Sequence, residues 1–246
     1  MRLAVVSDIH GNLTALSAVL SDVDRRGGVD RVFCLGDVAQ HGPQPKEVIE
    51  FLRDSKWPCV MGNTDEEIAR GVREPPSSED PVESERTSRL DSWTRQQVSG
   101  PARDFISTFR PTIEFEDGEE RRFLFYHGSP RSNVERIYPS IADDELGKCL
   151  AGNEAALFAG GHTHAPMYRR LGRSAVLNPG SVGRPFETAV SGELSHPARA
   201  EYAVVSAEPN SWDVELLAVS YPLEDLRKSV IKSGMPDPEW WLSYWH

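Results

Sequence analysis

The first half of the chain alternates short apolar runs with segments whose apolar residues recur at helical spacing. Residues 3–7 open with an apolar run, the pattern of a strand buried on both faces. Leu13, Leu16, Leu20 and Val23 then repeat at intervals of three and four. Asn12 or Thr14 supplies a cap in front of them, and Gly27-Gly28 ends the run. Residues 31–35 read as a second strand, ending in Gly36-Asp37. Residues 45–54 read as a helix, with Pro45 near its start and Val48, Ile49 and Leu52 facing inward. Residues 59–61 read as a third strand, ending in Gly62-Asn63. Strand–helix–strand at this rhythm predicts an α/β fold with parallel strands joined by right-handed crossovers.

The pattern is interrupted at about 65–110. Residues 74–81 are acidic and rich in Pro and Ser, the composition of a mobile segment. Helices are expected on its far side, at 84–98 and 102–109. This insert reads as a helical cap or lid on an otherwise single domain of residues 1–246. The second half is richer in hairpins. Residues 112–116 and 122–126 flank a turn at Asp117-Gly118, and residues 167–170 and 175–177 flank Gly172. Residues 202–206 and 214–220 read as another strand pair, and residues 156–159 as a strand ending in Gly160-Gly161. Residues 143–150 and 223–231 read as helices. The tail, with Trp240, Trp241 and Trp245, is apolar enough to pack on the body.

Composition narrows the partners. With 27 basic and 38 acidic residues in 246, the net charge is −11. That balance disfavours a nucleic acid duplex or an anionic membrane surface. No apolar run reaches the roughly 20 residues a membrane helix needs. The apolar N-terminal run meets Ser7-Asp8 too early for a signal peptide. Three widely spaced cysteines, Cys34, Cys59 and Cys149, read as buried thiols in a reducing cytoplasm.

Candidate chemistry gathers at the strand ends. Asp8 and His10, Asp37, Asn63, His127, and His162 with His164 each follow a predicted strand. In α/β sheets ligands bind outside the carboxyl ends of strands, so these side chains are expected to converge. Asp8/His10 and His162/His164 are i, i+2 pairs, which project to one side of an extended chain. Glycines adjoin most of them (Gly11, Gly36, Gly62, Gly128 and Gly161), as a crowded site requires. Mixed imidazole, carboxylate and amide donors suit Mn, Fe, Zn, Ni or Co better than Ca or Mg. Seven donors exceed one tetrahedral ion. Two ions sharing a carboxylate fit better, and such pairs hydrolyse phosphate esters.

Asp8-Ile9-His10, Gly36-Asp37, Gly62-Asn63-Thr64-Asp65, His127-Gly128 and Gly161-His162-Thr163-His164 resemble, in order, the motifs of the calcineurin-like metallophosphoesterases. Residues 178–183 (Asn-Pro-Gly-Ser-Val-Gly) and Gly36-Asp37 with Gly42-Pro43 resemble its small bacterial and archaeal phosphodiesterase-like branch. The resemblance implies a four-layer α/β/β/α sandwich with two mixed sheets. It implies that Asp8, His10 and His164 hold one divalent transition metal ion, that Asn63, His127 and His162 hold a second, and that Asp37 bridges them. The implied reaction is hydrolysis of a phosphoester, a diester favoured, on a small phosphorylated substrate such as a nucleotide, by a hydroxide bridging the metals. Alternatives on the same site are a phosphomonoesterase, a protein phosphatase or a dinucleoside polyphosphate hydrolase. A noncatalytic metal-binding scaffold is the remaining reading.

One position departs from the family pattern. Many members carry His after the Asn of the Gly-Asn block, and this chain has Thr64. His41, four residues past Asp37, is then the nearest candidate for protonating a leaving group, beside Asp37 and Asn63 in the catalytic set. Arg184, after the Asn-Pro-Gly-Ser turn, and Arg131, after His127-Gly128, are candidates for binding phosphate.

Overall fold

A computed structural model describes residues 1–71, 80–188, 194–209 and 211–246. The first half gives β1 (Arg2–Val6), α1 (Leu13–Arg25), β2 (Arg31–Cys34), α2 (Pro45–Ser55), α3 (Asn63–Arg70), α4 (Pro81–Gln97) and α5 (Gly100–Ile106). The second gives β3 (Thr112–Glu116), β4 (Arg122–Tyr126), α6 (Asp143–Leu150), β5 (Leu157–Ala159), β6 (Met167–Leu171), β7 (Ser174–Asn178), β8 (Glu187–Thr188) and β9 (Leu194–Ser195). The long hairpin β10 (Arg199–Glu208) and β11 (Ser211–Ser220), then α7 (Leu223–Ser233) and α8 (Pro238–Leu242), complete the chain.

Two mixed sheets result. The first has the order β11-β10-β1-β2, with β1 parallel to β2 and antiparallel to β10. The second has the order β3-β4-β5-β7-β6, parallel at its centre and antiparallel at both edges. Strand alternation sorts each side chain to a layer. Leu3, Val5, Phe33 and Leu35 point between the sheets, where they meet Phe123, Phe125, Leu157, Ala159 and Leu177. Phe33 stacks on Phe125 at 4.2 Å between ring centres. Their alternates, Ala4, Val6 and Cys34, face a core shared with α1, α2 and α7. Leu124, Tyr126, Phe158 and Val176 of the second sheet face α6. Three apolar interfaces thus separate four layers, the α/β/β/α sandwich expected. A strand between two buried faces has no polar side, which is why residues 3–7 and 122–126 read as near-continuous apolar runs.

Three local expectations change. Residues 59–61 are not a strand: Cys59 makes one parallel bridge to Cys34, and Val60 one to Arg110. Pairing ends there because the chain turns directly into α3. Asn63 therefore opens a helix instead of closing a strand, with Gly62 as N-cap. The polar run Asn63-Thr64-Asp65-Glu66-Glu67 carries no apolar stripe by which α3 could have been recognised. Helix α5 stops at Ile106, where Ser107 caps it, three residues short of the prediction. The insert helices pack on the body, α3 against α5 and α2 against both α4 and α5. Most of the acidic 74–81 segment lies outside the described residues; its end, Asp80, caps α4 by accepting from the Val82 amide at 2.9 Å. The tail packs as expected, burying Trp241 and Trp245.

Candidate metal centre

The ends of β1, β2, β4 and β5, with the start of α3, bring all seven predicted donors into one cleft. Asp8, His10 and His164 form one group whose donor atoms lie within 4.8 Å of one another; Asp37, His127 and His162 form a second. Asn63 joins the second group, its Oδ1 3.0 Å from His127 Nε2. One Asp37 oxygen, Oδ2, reaches both groups, 3.5 Å from His127 Nε2 and 4.0 Å from His10 Nε2.

The backbone does not run extended through these donors. Asp8, His10, Asp37, His162 and His164 all adopt left-handed φ, between 47° and 66°. The i, i+2 pairs therefore converge by tight turning, not by strand alternation as expected. Left-handed conformation costs a non-glycine residue of order 1 kcal/mol, and such strain concentrates at functional sites. Hydrogen bonds between loops hold the turns. Asp65 accepts from the backbone amides of Asp37 (2.8 Å), Val38 (2.9 Å) and Gly62 (3.1 Å). Ser181 Oγ donates to the Asp8 carbonyl at 2.8 Å, and the His162 amide donates to Asp8 Oδ2 at 3.1 Å.

Hydrogen bonding also sets the tautomers. The Nδ1–H groups of His10, His127 and His164 can donate to the carbonyls of Gln40 (2.9 Å), Leu35 (2.8 Å) and Arg184 (2.6 Å). Backbone carbonyls accept only, so each bond fixes Nδ1 as the protonated nitrogen and turns Nε2 into the cleft. His10 and His164 then face each other Nε2 to Nε2 at 3.1 Å, two lone pairs meeting head on unless a cation stands between. Among the described residues His162 Nε2 is buried without a hydrogen-bond partner, and Asp8 Oδ1 meets only His164 Nε2, 3.1 Å away and without a proton in this tautomer. Buried polar atoms this poorly matched to one another are well matched to divalent ions. The residues present fit the metals.

Electrostatics separate the two groups. Burial alone would raise Asp8, but the neighbouring His164 pulls it down to about 2. Asp37 is likewise held well below the usual carboxylate range against burial, chiefly by His127. Burial opposes charge on His127, yet Asp37 and Asp8 raise it to about 10. Burial and a neighbouring imidazole push His10 well down and His162 down to about 4. Asp65 is pushed up to about 7, by burial and then by the Asp37 charge.

Close backbone approach makes one glycine irreplaceable. A Cβ on Gly161 would sit 1.9 Å from Ser7 Oγ and 2.7 Å from Asp8 Oδ2. Gly161→Ala is expected to displace Asp8 and to cost about 1–3 kcal/mol of stability by overpacking. Thermal melting together with metal content checks this: a wild-type melting temperature and full metal would contradict the packing described.

The other predicted residues divide. His41 lies beside the centre, its ring stacked on His10 at 5.6 Å and its Nε2 3.0 Å from Asp91 Oδ1 of α4. Arg184 is half-buried there too. Its NH2 lies 3.5 Å from His196 Nε2, its Nε has no partner, and it forms no ion pair with a described carboxylate. Burial lowers it to about 10. Arg131 is committed elsewhere: it grips Glu135 through Nε (2.9 Å) and NH2 and donates to the Lys148 carbonyl. The fork that would bind phosphate is thus occupied. Thr64 replaces the family histidine as a buried residue whose amide donates to Asp37 Oδ1 at 3.0 Å. Sequence reading quoted Asp65 and Ser181 inside motifs without giving either a role in the site, and missed Asp91 and Phe186, which stacks on His164 at 4.8 Å. Only Asp65 left a signal, an acidic residue at the third position of α3, where it reaches back to the N-cap amide.

The sequence model of the calcineurin-like phosphoesterase superfamily domain matches residues 1–207. The chain belongs to that superfamily. Within it, the chain is 28% identical to the uncharacterized protein MJ0912 of Methanocaldococcus jannaschii, over 98% of this chain and 95% of that one. It is 26% identical to the phosphodiesterase YfcE of Escherichia coli, over 75% of this chain and 81% of the relative. The crystal structure of a metallophosphoesterase from Sphaerobacter thermophilus superposes with a TM-score of 0.75 at 27% identity, covering 99% of this chain and 97% of that one. Calcineurin-like phosphoesterases bind divalent metals, and these relatives fit a small bacterial and archaeal branch of the superfamily. Among the described residues no helix is long and apolar enough to cross a membrane.

Proposed function

We propose that the chain is a dinuclear metal-dependent phosphodiesterase acting on a small phosphorylated substrate. The observation that carries this is Asp37, whose single oxygen lies between two donor groups of matching composition. Asp8, His10 and His164 would hold one divalent transition ion, Asn63, His127 and His162 the other, with Asp37 common to both. When bound, the ions would activate a water and polarise the phosphoryl oxygens. The chain's own part is to present Nε2 lone pairs and carboxylates in fixed positions, and to neutralise charge with Arg184. Arg184 suits a phosphoryl oxygen because it is a partly buried cation that pairs with no carboxylate among the described residues. His41, oriented by Asp91, is the proton source closest to the first group in place of the family histidine. The chain acts as one domain, with α4 of the insert forming a wall beside the site through the Asp91–His41 pair. The three buried free cysteines fit a reducing cytoplasm.

The scaffold reading is disfavoured because all seven donors are present and convergent. The test is a panel assay with Mn, Ni, Co, Zn or Mg against an activated phosphodiester, an activated monoester, cyclic nucleotides and dinucleoside polyphosphates. The diester is expected to turn over fastest with a transition metal. Preference for the monoester would overturn the diesterase reading, and no turnover with any metal would establish the scaffold.

A further inference from the structure

Beside the first donor group lies a cavity of about 120 Å³ built from several distant parts of the chain, His41 and His196 among them. Helix α4 supplies Glu83 and Leu90, the loop after the Asn-Pro-Gly-Ser turn supplies Arg184, and the C-terminal segment supplies Trp240 and Tyr244. Two contacts tie it to the centre. The Arg184 carbonyl accepts from His164, and the ring of His41, which also lines the cavity, stacks on His10. The cavity therefore adjoins the Asp8–His10–His164 side of the cleft.

Its size and chemistry select an occupant. Drug-sized ligands need roughly 300–1,000 Å³, so this cavity takes only one small end of a substrate. Trp240 and Tyr244 meet edge to face, ring centres 5.8 Å apart at 89°, forming an aromatic corner. A flat ring entering such a corner stacks on one wall and presents its edge to the other. Arg184, whose guanidinium stands over Phe186 at 6.0 Å, adds a cation to the lining between the corner and the donor groups. Glu83 lines the same corner and accepts from the Tyr244 hydroxyl at 3.4 Å.

We propose that this cavity is a specificity pocket for one ester group of the substrate, a small uncharged planar ring of single six-membered size. The assignment rests on the phosphodiesterase reading and deepens it. A simple aryl group and a pyrimidine base share this chemistry.

Manganese-loaded protein titrated calorimetrically with paired product analogues tests the proposal. Phenylphosphonate against methylphosphonate probes the aryl source, and uridine 5′-monophosphate against ribose 5-phosphate probes the nucleoside source. The ring-bearing member of at least one pair is expected to bind about tenfold or more tightly, as burying a ring face implies. Trp240→Ala is expected to reduce that preference to about twofold or less, and Trp240→Phe to retain part of it, which distinguishes a lost ring contact from misfolding. Equal affinities within both pairs would overturn the pocket, as would a preference that survives Trp240→Ala. Turnover of diesters without ring preference rejects the pocket and spares the phosphodiesterase reading. Ring-dependent binding without turnover under any metal does the reverse.

Discussion

Asp37→Asn is expected to lower kcat/KM by about a thousandfold or more and to reduce bound metal, while leaving the fold in place. The substitution preserves the shape of the side chain and removes its charge. The loop around it is held independently: Asp65 clamps the Asp37 and Val38 amides, and the Thr64 amide approaches Asp37 Oδ1. An asparagine oxygen at the same place can still accept from Thr64, so the loss would report the missing charge. That charge is what one oxygen placed 3.5 Å from His127 and 4.0 Å from His10 contributes to two cations at once. Metal content by elemental analysis, activity and melting temperature should be measured on the same preparation. Near-normal activity with a full metal complement would reject the bridging role.

The layers of the fold were readable because burial on two faces leaves an unmistakable apolar run. β1, β2 and β4 stood out for that reason, while the half-exposed β6 was marked with β7 by the Gly172 turn between them, and α1, α2 and α7 by one-sided helical periodicity. Helix α3 was hidden because its work is done by polar residues at its first turn: Asn63 faces the cleft and Asp65 clamps backbone amides. A helix whose function occupies its N-terminus has no apolar stripe to announce it. The brief bridges at Cys59 and Val60 have the composition of a strand but not the length, since the chain must turn at Gly62.

The seven donors were readable for a different reason. Histidine and aspartate beside glycine at strand ends are a chemical pattern, independent of the geometry that joins them. The geometry itself was misjudged: extended pairs were expected, and left-handed turns at Asp8, His10, His162 and His164 were found. Asp and His are enriched at positive φ, but their identity does not say which of them adopt it; the surrounding hydrogen bonds decide that. The same limit separates Arg184 from Arg131. Both follow site motifs, but only the fold shows that Glu135 occupies Arg131 while Arg184 meets no carboxylate among the described residues.

Removing the metals should destabilise the protein and confine its stability to a pH window. If each ion is present at about a thousandfold its dissociation constant, binding contributes about 4 kcal/mol per site to the folded state. For a chain of this size, one such contribution corresponds to roughly 8–16 °C in melting temperature. In the stripped protein the facing nitrogens of His10 and His164, 3.1 Å apart, have no cation between them. Acid should then be unfavourable. His162, lowered to about 4, and His10, lowered well below its ordinary value, bind fewer protons folded than unfolded. Their contribution is present above the unfolded histidine value near 6.5 and is lost as pH falls from there toward 4. His127 runs the other way. Raised to about 10, it contributes fully below about 6.5, and that contribution is lost as pH rises through 10. The stripped protein should therefore melt highest near pH 6.5 and lose stability on both sides of it. Metal loading should widen the window and release protons near neutrality, because His127 must give up its second proton to become a ligand. Scanning calorimetry across pH with and without chelator, and proton release on manganese addition, provide the measurements. A melting temperature indifferent to chelator would show that the cleft does not hold ions under those conditions, and proton uptake in place of release would contradict the charged state derived for His127.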